Sequence, residues 1–312
     1  LIKLITNQNI KNFTFHKIHM DILLNNIRSM REMDAKKLKN FNSNGYLIIN
    51  DSETKRKALC LKKAIKKVML RKLKTLKPDF SEKLDIDSIY NKLHTIDPFL
   101  SGGIYDVIRE LPEFLDLINI NSLKVLLKNL FKWKQIHLPY GLCQFRIDRP
   151  GDTKYHFDWH QDYTFNIISK SAITFWVPLT DVTLEKGAVR ILPGSHKKLL
   201  PVKGKACYEP GKNGNASSHL TFKLFNSKAS DLEDSSISVP IKAGQILMFH
   251  SHVLHRSGYN QSNGLNRWVT IFRMGDLYDN DLILRNFFCA RPNKPITMAG
   301  FSKIHPDYFI SE

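Results

Sequence analysis

The chain has 312 residues, 42% of them hydrophobic and 11% aromatic, enough for one large domain with its own core or two modest ones. Lys and Arg outnumber Asp and Glu by 47 to 29, a formal net charge of +18, which points to anionic partners such as nucleic acid, a membrane surface or an acidic small molecule. No apolar run reaches the roughly 18 residues a spanning helix needs, so no membrane-spanning helix is expected.

The first residues, LIKLITNQNIKNFTFHK, lack a compact apolar stretch followed by a cleavage site, so no signal peptide is expected there. Cys60, Cys143, Cys207 and Cys289 are scattered, without a C-x-x-C pair. They are expected to be isolated buried side chains in a reducing, cytoplasmic setting. Residues 1–135 read as mostly helical and lysine-rich. Within them FNSNGYLIIND, residues 41–51, carries an Asn44-Gly45 turn signal and then an apolar run, so an early strand is expected over 45–50. TKRKALCLKKAIKKVMLRKLKTLK, residues 54–77, contains no acid and spaces Leu61, Ala64, Ile65, Val68, Met69 and Leu73 like one face of a helix. Its basic outer face has two open readings: a solvated surface, or peripheral contact with an anionic surface, substrate or carrier. No aromatic side chain interrupts the run to stack on bases, so nucleic-acid recognition is disfavoured. Further helices are expected over 82–94, 104–117 and 121–133, punctuated by Pro98, Gly102, Gly103 and Pro112.

From residue 136 short Val-, Ile-, Phe- and Thr-rich runs alternate with turn residues. The candidate strands are 142–148, 172–179, 188–194, 236–241, 245–250 and 267–274. That pattern predicts an antiparallel sandwich or jelly roll over 136–280. Residues 203–235 are polar and rich in Gly, Asn, Ser and Lys, and are expected to form a long surface insertion and candidate lid. Residues 281–312 form a C-terminal extension, and the whole chain is expected to be a single domain.

Two His-x-Asp pairs stand back to back in HFDWHQD: His156 with Asp158, and His160 with Asp162. Alternation along a regular strand would put all four on one face. Either pair could then grip a metal with a third ligand from FHSHVLHRSG, which holds His250, His252 and His255. Two histidines and a carboxylate on one side of an octahedron are the facial triad of non-haem Fe(II) oxygenases. The pairing of an H-x-D with a histidine about ninety residues later, and an arginine twelve beyond that, is far more specific than H-x-D alone. QFRID puts Gln144, Arg146 and Asp148 on one face of a strand and Phe145 and Ile147 on the other.

WHQDYTFN, TFWVPLTDVTLEKGAVRILPGSHK and AGQILMFHSHVLHRSGYNQSNGLNRWVTIF, in this order, resemble the phytanoyl-CoA dioxygenase family, and NGYLIIND resembles its early strand. The resemblance covers about 136–275 and implies a mainly β core, a double-stranded β-helix of cupin or jelly-roll type, with the N-terminal helical region packed on it. It implies His160, Asp162 and His255 as ligands of Fe(II), with 2-oxoglutarate as co-substrate and O2 as oxidant. It leaves His156 and Asp158 as scaffold or substrate-facing residues, His250 as structural, and His252 and His196 outside the ligand set. Arg267 matches the arginine that pairs with the far carboxylate of 2-oxoglutarate, Ser257 is its hydroxyl partner, and Arg273 is the alternative anchor. In similar enzymes the QFRID strand lines the pocket, so Gln144 is expected at 2-oxoglutarate or substrate and Arg146 at a polar or anionic substrate. Trp159, Tyr163, Phe165 and Trp176 are expected as substrate-pocket walls. The reaction implied is hydroxylation of an unactivated C–H bond of a small molecule, anionic or carrier-linked, with succinate and carbon dioxide released. Two alternatives stay open: a cupin-type metal enzyme that does not use 2-oxoglutarate, and a non-catalytic basic binding protein.

Overall fold

The computed structural model describes residues 35–77, 83–153, 156–204, 222–225, 229–287 and 304–311. The expectations for residues 1–34, for most of the polar insertion and for Cys207 and Cys289 lie outside the described residues.

A helix over 35–44 (α1) ends at Gly45, which has a φ of +80° and donates its N–H to the Phe41 carbonyl at 2.6 Å. Asn44-Gly45 is therefore a helix stop and not a hairpin turn, because glycine is the residue that takes the left-handed position after a helix. The chain leaves it directly into strand β1 (Tyr46–Ile49). Helix α2 (Ser52–Leu76) starts where the Asp51 carboxylate accepts the Thr54 N–H at 2.7 Å. It buries Thr54, Ala58, Leu61, Ile65, Met69 and Leu73, spaced by three or four residues. Lys55, Arg56, Lys63, Lys67, Arg71 and Lys72 stand exposed on the other side.

Helices α3 (Ile86–Ile96), α4 (Pro98–Ile108), α5 (Pro112–Ile118) and α6 (Asn121–Phe131) complete the layer. The single helix expected over 104–117 is two. Pro112 opens α5 because it has no N–H to continue α4.

The main sheet runs β1–β10 (Ile246–His250)–β5 (Ile173–Pro178)–β12 (Arg267–Asp276). The far edge of the long β12 is shared between β3 (Gln144–Asp148) and β2 (Ile136–His137). A second sheet runs β4 (His160–Gln161)–β11 (Leu254–Arg256)–β6 (Val189–Ile191)–β9 (Ile237–Val239). All these pairings are antiparallel.

Alternation sorts the main sheet into two faces. Phe145, Phe175, Val177, Met248, Trp268 and Phe272 pack against Leu61, Ile65, Met69 and the other helical apolar residues. Trp176, Leu247, Phe249, Val269 and Ile271 face the second sheet and meet Val189, Ile191 and Val239. All six residues of β5 are buried because both of its faces are covered. Asp87 of α3 fastens the helices to β12: its Oδ1 accepts from Trp268 Nε1 at 2.7 Å and from the Asn266 backbone N–H at 3.0 Å. The result is a double-stranded β-helix with the helical region packed on its outer face.

The polar insertion is not structureless throughout. β7 (Val202–Gly204) pairs with β8 (Phe222–Leu224), and the C-terminal β13 (Phe309–Ser311) joins β7 in parallel. Of the described cysteines, Cys143 is buried as expected, whereas Cys60 is exposed on the polar side of α2. Among the described residues, no helix is long and apolar enough to cross a membrane.

Candidate metal centre

His160 lies in β4 and faces His255 of β11 directly across the ladder. The chain then leaves the strand: Asp162 is the first residue of the four-residue helix α7 (Asp162–Phe165), held by the Asn166 N–H on the Asp162 carbonyl at 2.9 Å. Residues 156–158 are not in a strand either. The common strand face expected for both His-x-Asp pairs is therefore absent. A strand-to-helix turn, not alternation, brings Asp162 to the histidines.

The ligand atoms of His160, Asp162 and His255 all lie within 4.8 Å of one another. Asp162 Oδ1 is 3.7 Å from His160 Nε2 and 4.0 Å from His255 Nε2. His160 Nδ1 lies 2.6 Å from the Asp158 carbonyl and His255 Nδ1 lies 2.9 Å from the Val253 carbonyl. Each contact places the proton on Nδ1 and leaves an Nε2 lone pair facing the centre, the outer-shell arrangement that metal-binding histidines need. Burial pushes His255 down to about 3, so its ring is neutral near pH 7. Burial alone would raise the Asp162 carboxyl, but Arg273 and the two histidines hold it well below the usual carboxylate range. Two neutral imidazoles and one carboxylate suit a divalent transition metal.

The first pair does other work. His156 Nε2 meets the Ser257 carbonyl at 2.7 Å, and its ring stacks on Tyr259 at 4.0 Å. Asp158 accepts the Trp159 N–H at 2.8 Å. His250 Nδ1 accepts the His252 N–H at 3.0 Å, and the rings of His250, His252 and His196 pack together with spacings of 4.9 and 5.6 Å.

An open cavity lies over the centre. Gln144, Arg146, Phe157, Trp176, Ser257 and Arg273 line it beside the three candidate ligands. Arg267 sits behind the lining and not in it. It is 4% exposed, its Nε donates to Asp148 at 3.0 Å, and its Nη1 donates to the Gly187 and Gly258 carbonyls. A side chain on Gly187 would collide with the Gly258 carbonyl and with Arg267. Asp148 also takes Arg146 at 2.5 Å. Burial alone would raise Asp148, yet Arg146 and Arg267 together hold it below the usual range.

Three of the expected pocket walls do not line this cavity. Trp159 is buried away from the cavity, donating Nε1 to Glu233 at 3.1 Å. Tyr163 is fully buried on the far side of α7 against His252 and His305. Phe165 packs on the edge of His160, with centroids 5.8 Å apart. Trp176 is in the lining. Sequence reading missed Phe157, Arg256 and Thr174, all of which line the cavity. Thr174 was legible in principle, two positions before Trp176 on the same strand face. Arg256 was not, since neighbouring His255 faces the same cavity.

The family model for Phytanoyl-CoA dioxygenase (PhyH) matches residues 41–268. A curated mouse (Mus musculus) protein, "Phytanoyl-CoA dioxygenase domain-containing protein 1", is 24% identical over 193 residues, covering 61% of this chain. The match spans 57% of that relative's own length. Among solved structures, AviO1 from Streptomyces viridochromogenes is 16% identical with a TM-score of 0.45, over 78% of this chain and 96% of that one. The epimerase SnoN in complex with Fe3+, alpha ketoglutarate and nogalamycin RO is 16% identical with a TM-score of 0.44, over 78% and 84%. EctD from S. alaskensis is 14% identical with a TM-score of 0.44, over 78% of each chain.

Proposed function

The chain belongs to the phytanoyl-CoA dioxygenase family, and from that premise we propose that it is an Fe(II)- and 2-oxoglutarate-dependent oxygenase hydroxylating a small molecule with an anionic or carrier-linked end. The observation that carries the proposal is the convergence of His160, Asp162 and His255 on one point at the floor of a cavity. In it the described chain works as one catalytic domain, since the helices and the main sheet share a core.

His160, Asp162 and His255 would hold the iron from one side, leaving the cavity side open. Bound there with 2-oxoglutarate and O2, iron supplies the oxidising power that breaks an unactivated C–H bond, with succinate and carbon dioxide released. The protein's own part is orientation and charge. Asp148 pairs with two guanidiniums, Arg146 and Arg267, and so fixes both at this wall of the site. Arg267, with Ser257 and Gln144, is the proposed anchor for the far end of 2-oxoglutarate. Arg146 and Arg256 stand with Phe157 and Trp176 in the lining, a combination suited to an anionic head on an apolar body.

Arg267→Ala is expected to raise the 2-oxoglutarate concentration needed for half-maximal succinate release by tenfold or more, on the order of one lost charge-assisted hydrogen-bond pair. An unchanged requirement moves the anchor to Arg146, which reaches the cavity directly. A second reading, a cupin-type metal enzyme without 2-oxoglutarate, draws on Arg267 lying behind the lining. Absence of succinate with a loaded metal site would favour it.

A further inference from the structure

We propose that Arg273, assisted by Thr174, is a positioning residue that restricts Asp162 to a single metal-binding oxygen; this rests on the metal reading above. Arg273 is 4% exposed, on the inward face of β12 three residues before the strand ends. Burying a guanidinium is costly unless its donors are matched. Here each of its three nitrogens donates one hydrogen bond. Nε donates to Asp162 Oδ2 at 3.1 Å, Nη2 donates to Asp162 Oδ1 at 2.8 Å, and Nη1 donates to the Leu142 carbonyl at 3.1 Å. Thr174 lies opposite Arg273 in the β5–β12 register, and its Oγ1 donates to the same Oδ2 at 2.7 Å.

A carboxylate offers about four lone-pair directions. Oδ2 is used twice and Oδ1 once. The direction left is on Oδ1, the oxygen that faces His160 Nε2 and His255 Nε2. A carboxylate free to rotate would offer both oxygens to an ion and take a further coordination position. The Arg273–Thr174 clamp prevents this, and a triad of three single-atom ligands keeps three positions of an octahedron open. A lysine could replace the charge of Arg273 but not its planar, two-pronged grip.

The test is Co(II) titration of the purified full chain under anaerobic conditions, reading both affinity and the visible d–d spectrum. Arg273→Gln and Arg273→Lys are each expected to weaken Co(II) binding by about 10–100-fold, the usual cost of losing an outer-shell partner, and to shift the d–d bands as the carboxylate rotates. Thr174→Val is expected to move both readouts the same way by a smaller factor. Wild-type affinity and spectrum in all three variants would overturn the clamp. So would tighter binding in Arg273→Gln, since removing a cation beside the ligand favours metal if charge alone matters. Should the Arg273 variants fail to fold by circular dichroism, Thr174→Val decides: a shift supports the clamp and an unchanged spectrum overturns it. His160→Ala separates the two levels. If it binds Co(II) like wild type, the metal reading falls and the clamp with it. If it abolishes a binding that the clamp variants leave untouched, only the clamp falls.

Discussion

Two buried arginines on the same face of β12, six residues apart, serve different carboxylates. Arg267 meets Asp148 on the neighbouring strand, and Arg273 meets Asp162 across the cavity floor. Each pair is buried, so the cost of breaking it is the cost of stranding a charge. Asp148→Asn leaves Arg146 and Arg267 without their shared partner, and a stability loss of about 3–5 kcal/mol is expected in urea denaturation. A loss under about 1 kcal/mol would mean the three groups are solvated. Asp162→Ala is expected to lower Mn(II) or Co(II) affinity by more than the 10–100-fold typical of an outer-shell residue, measured by titration calorimetry. The inward positions of Arg267 and Arg273 follow from strand alternation in RWVTIFR. Their partners do not, because one is set by the β3–β12 register and the other by the turn into α7.

The corner between β10 and β11 is an element whose behaviour depends on neutral histidines. Burial pushes His250 down to about 3 and His252 to about 4. Their folded-state values lie below the unfolded value, so the unfolded chain takes up protons first as pH falls. The stability they contribute is complete above about pH 6.5 and is lost progressively as pH drops towards 4. Both act in the same direction, so stability is expected to fall with pH across that window. Thermal melts from pH 7 to 5 should show a falling Tm, and His250→Gln should flatten the slope; a flat wild-type profile would contradict the burial of these rings. In α2, Ile65 is fully buried beneath the basic face, and Ile65→Ala is expected to cost about 2–5 kcal/mol in urea denaturation. That helix was legible because its apolar residues recur every three or four positions. The break between α4 and α5 was marked by Pro112 all along, yet apolar residues on both sides simulate one continuous helix. The placement of Asp162 was hidden for a different reason: a four-residue helix is too short to leave any periodicity.

For the molecule as a whole, the jelly roll was readable from the clustering of short β-rich runs between turn residues, and the helical layer from its period. What one chain's pattern could not specify was which strands meet. His160 reaches His255 because β4 and β11, about ninety residues apart, pair in the second sheet. The same long-range pairing turns two weak local signals, WHQD and LHRSG, into one centre. The net charge of +18 is carried partly by the exposed side of α2, on the far side of the helical layer from the cavity. The central claim is metal- and 2-oxoglutarate-dependent oxidation at the His160–Asp162–His255 centre. Its most direct test is succinate release by purified protein supplied with Fe(II), 2-oxoglutarate and O2, compared with Asp162→Ala. Slow succinate formation by wild type even without a substrate, lost in Asp162→Ala, is the expected result. Equal succinate from both proteins, or none from wild type with iron bound at the centre, would contradict it.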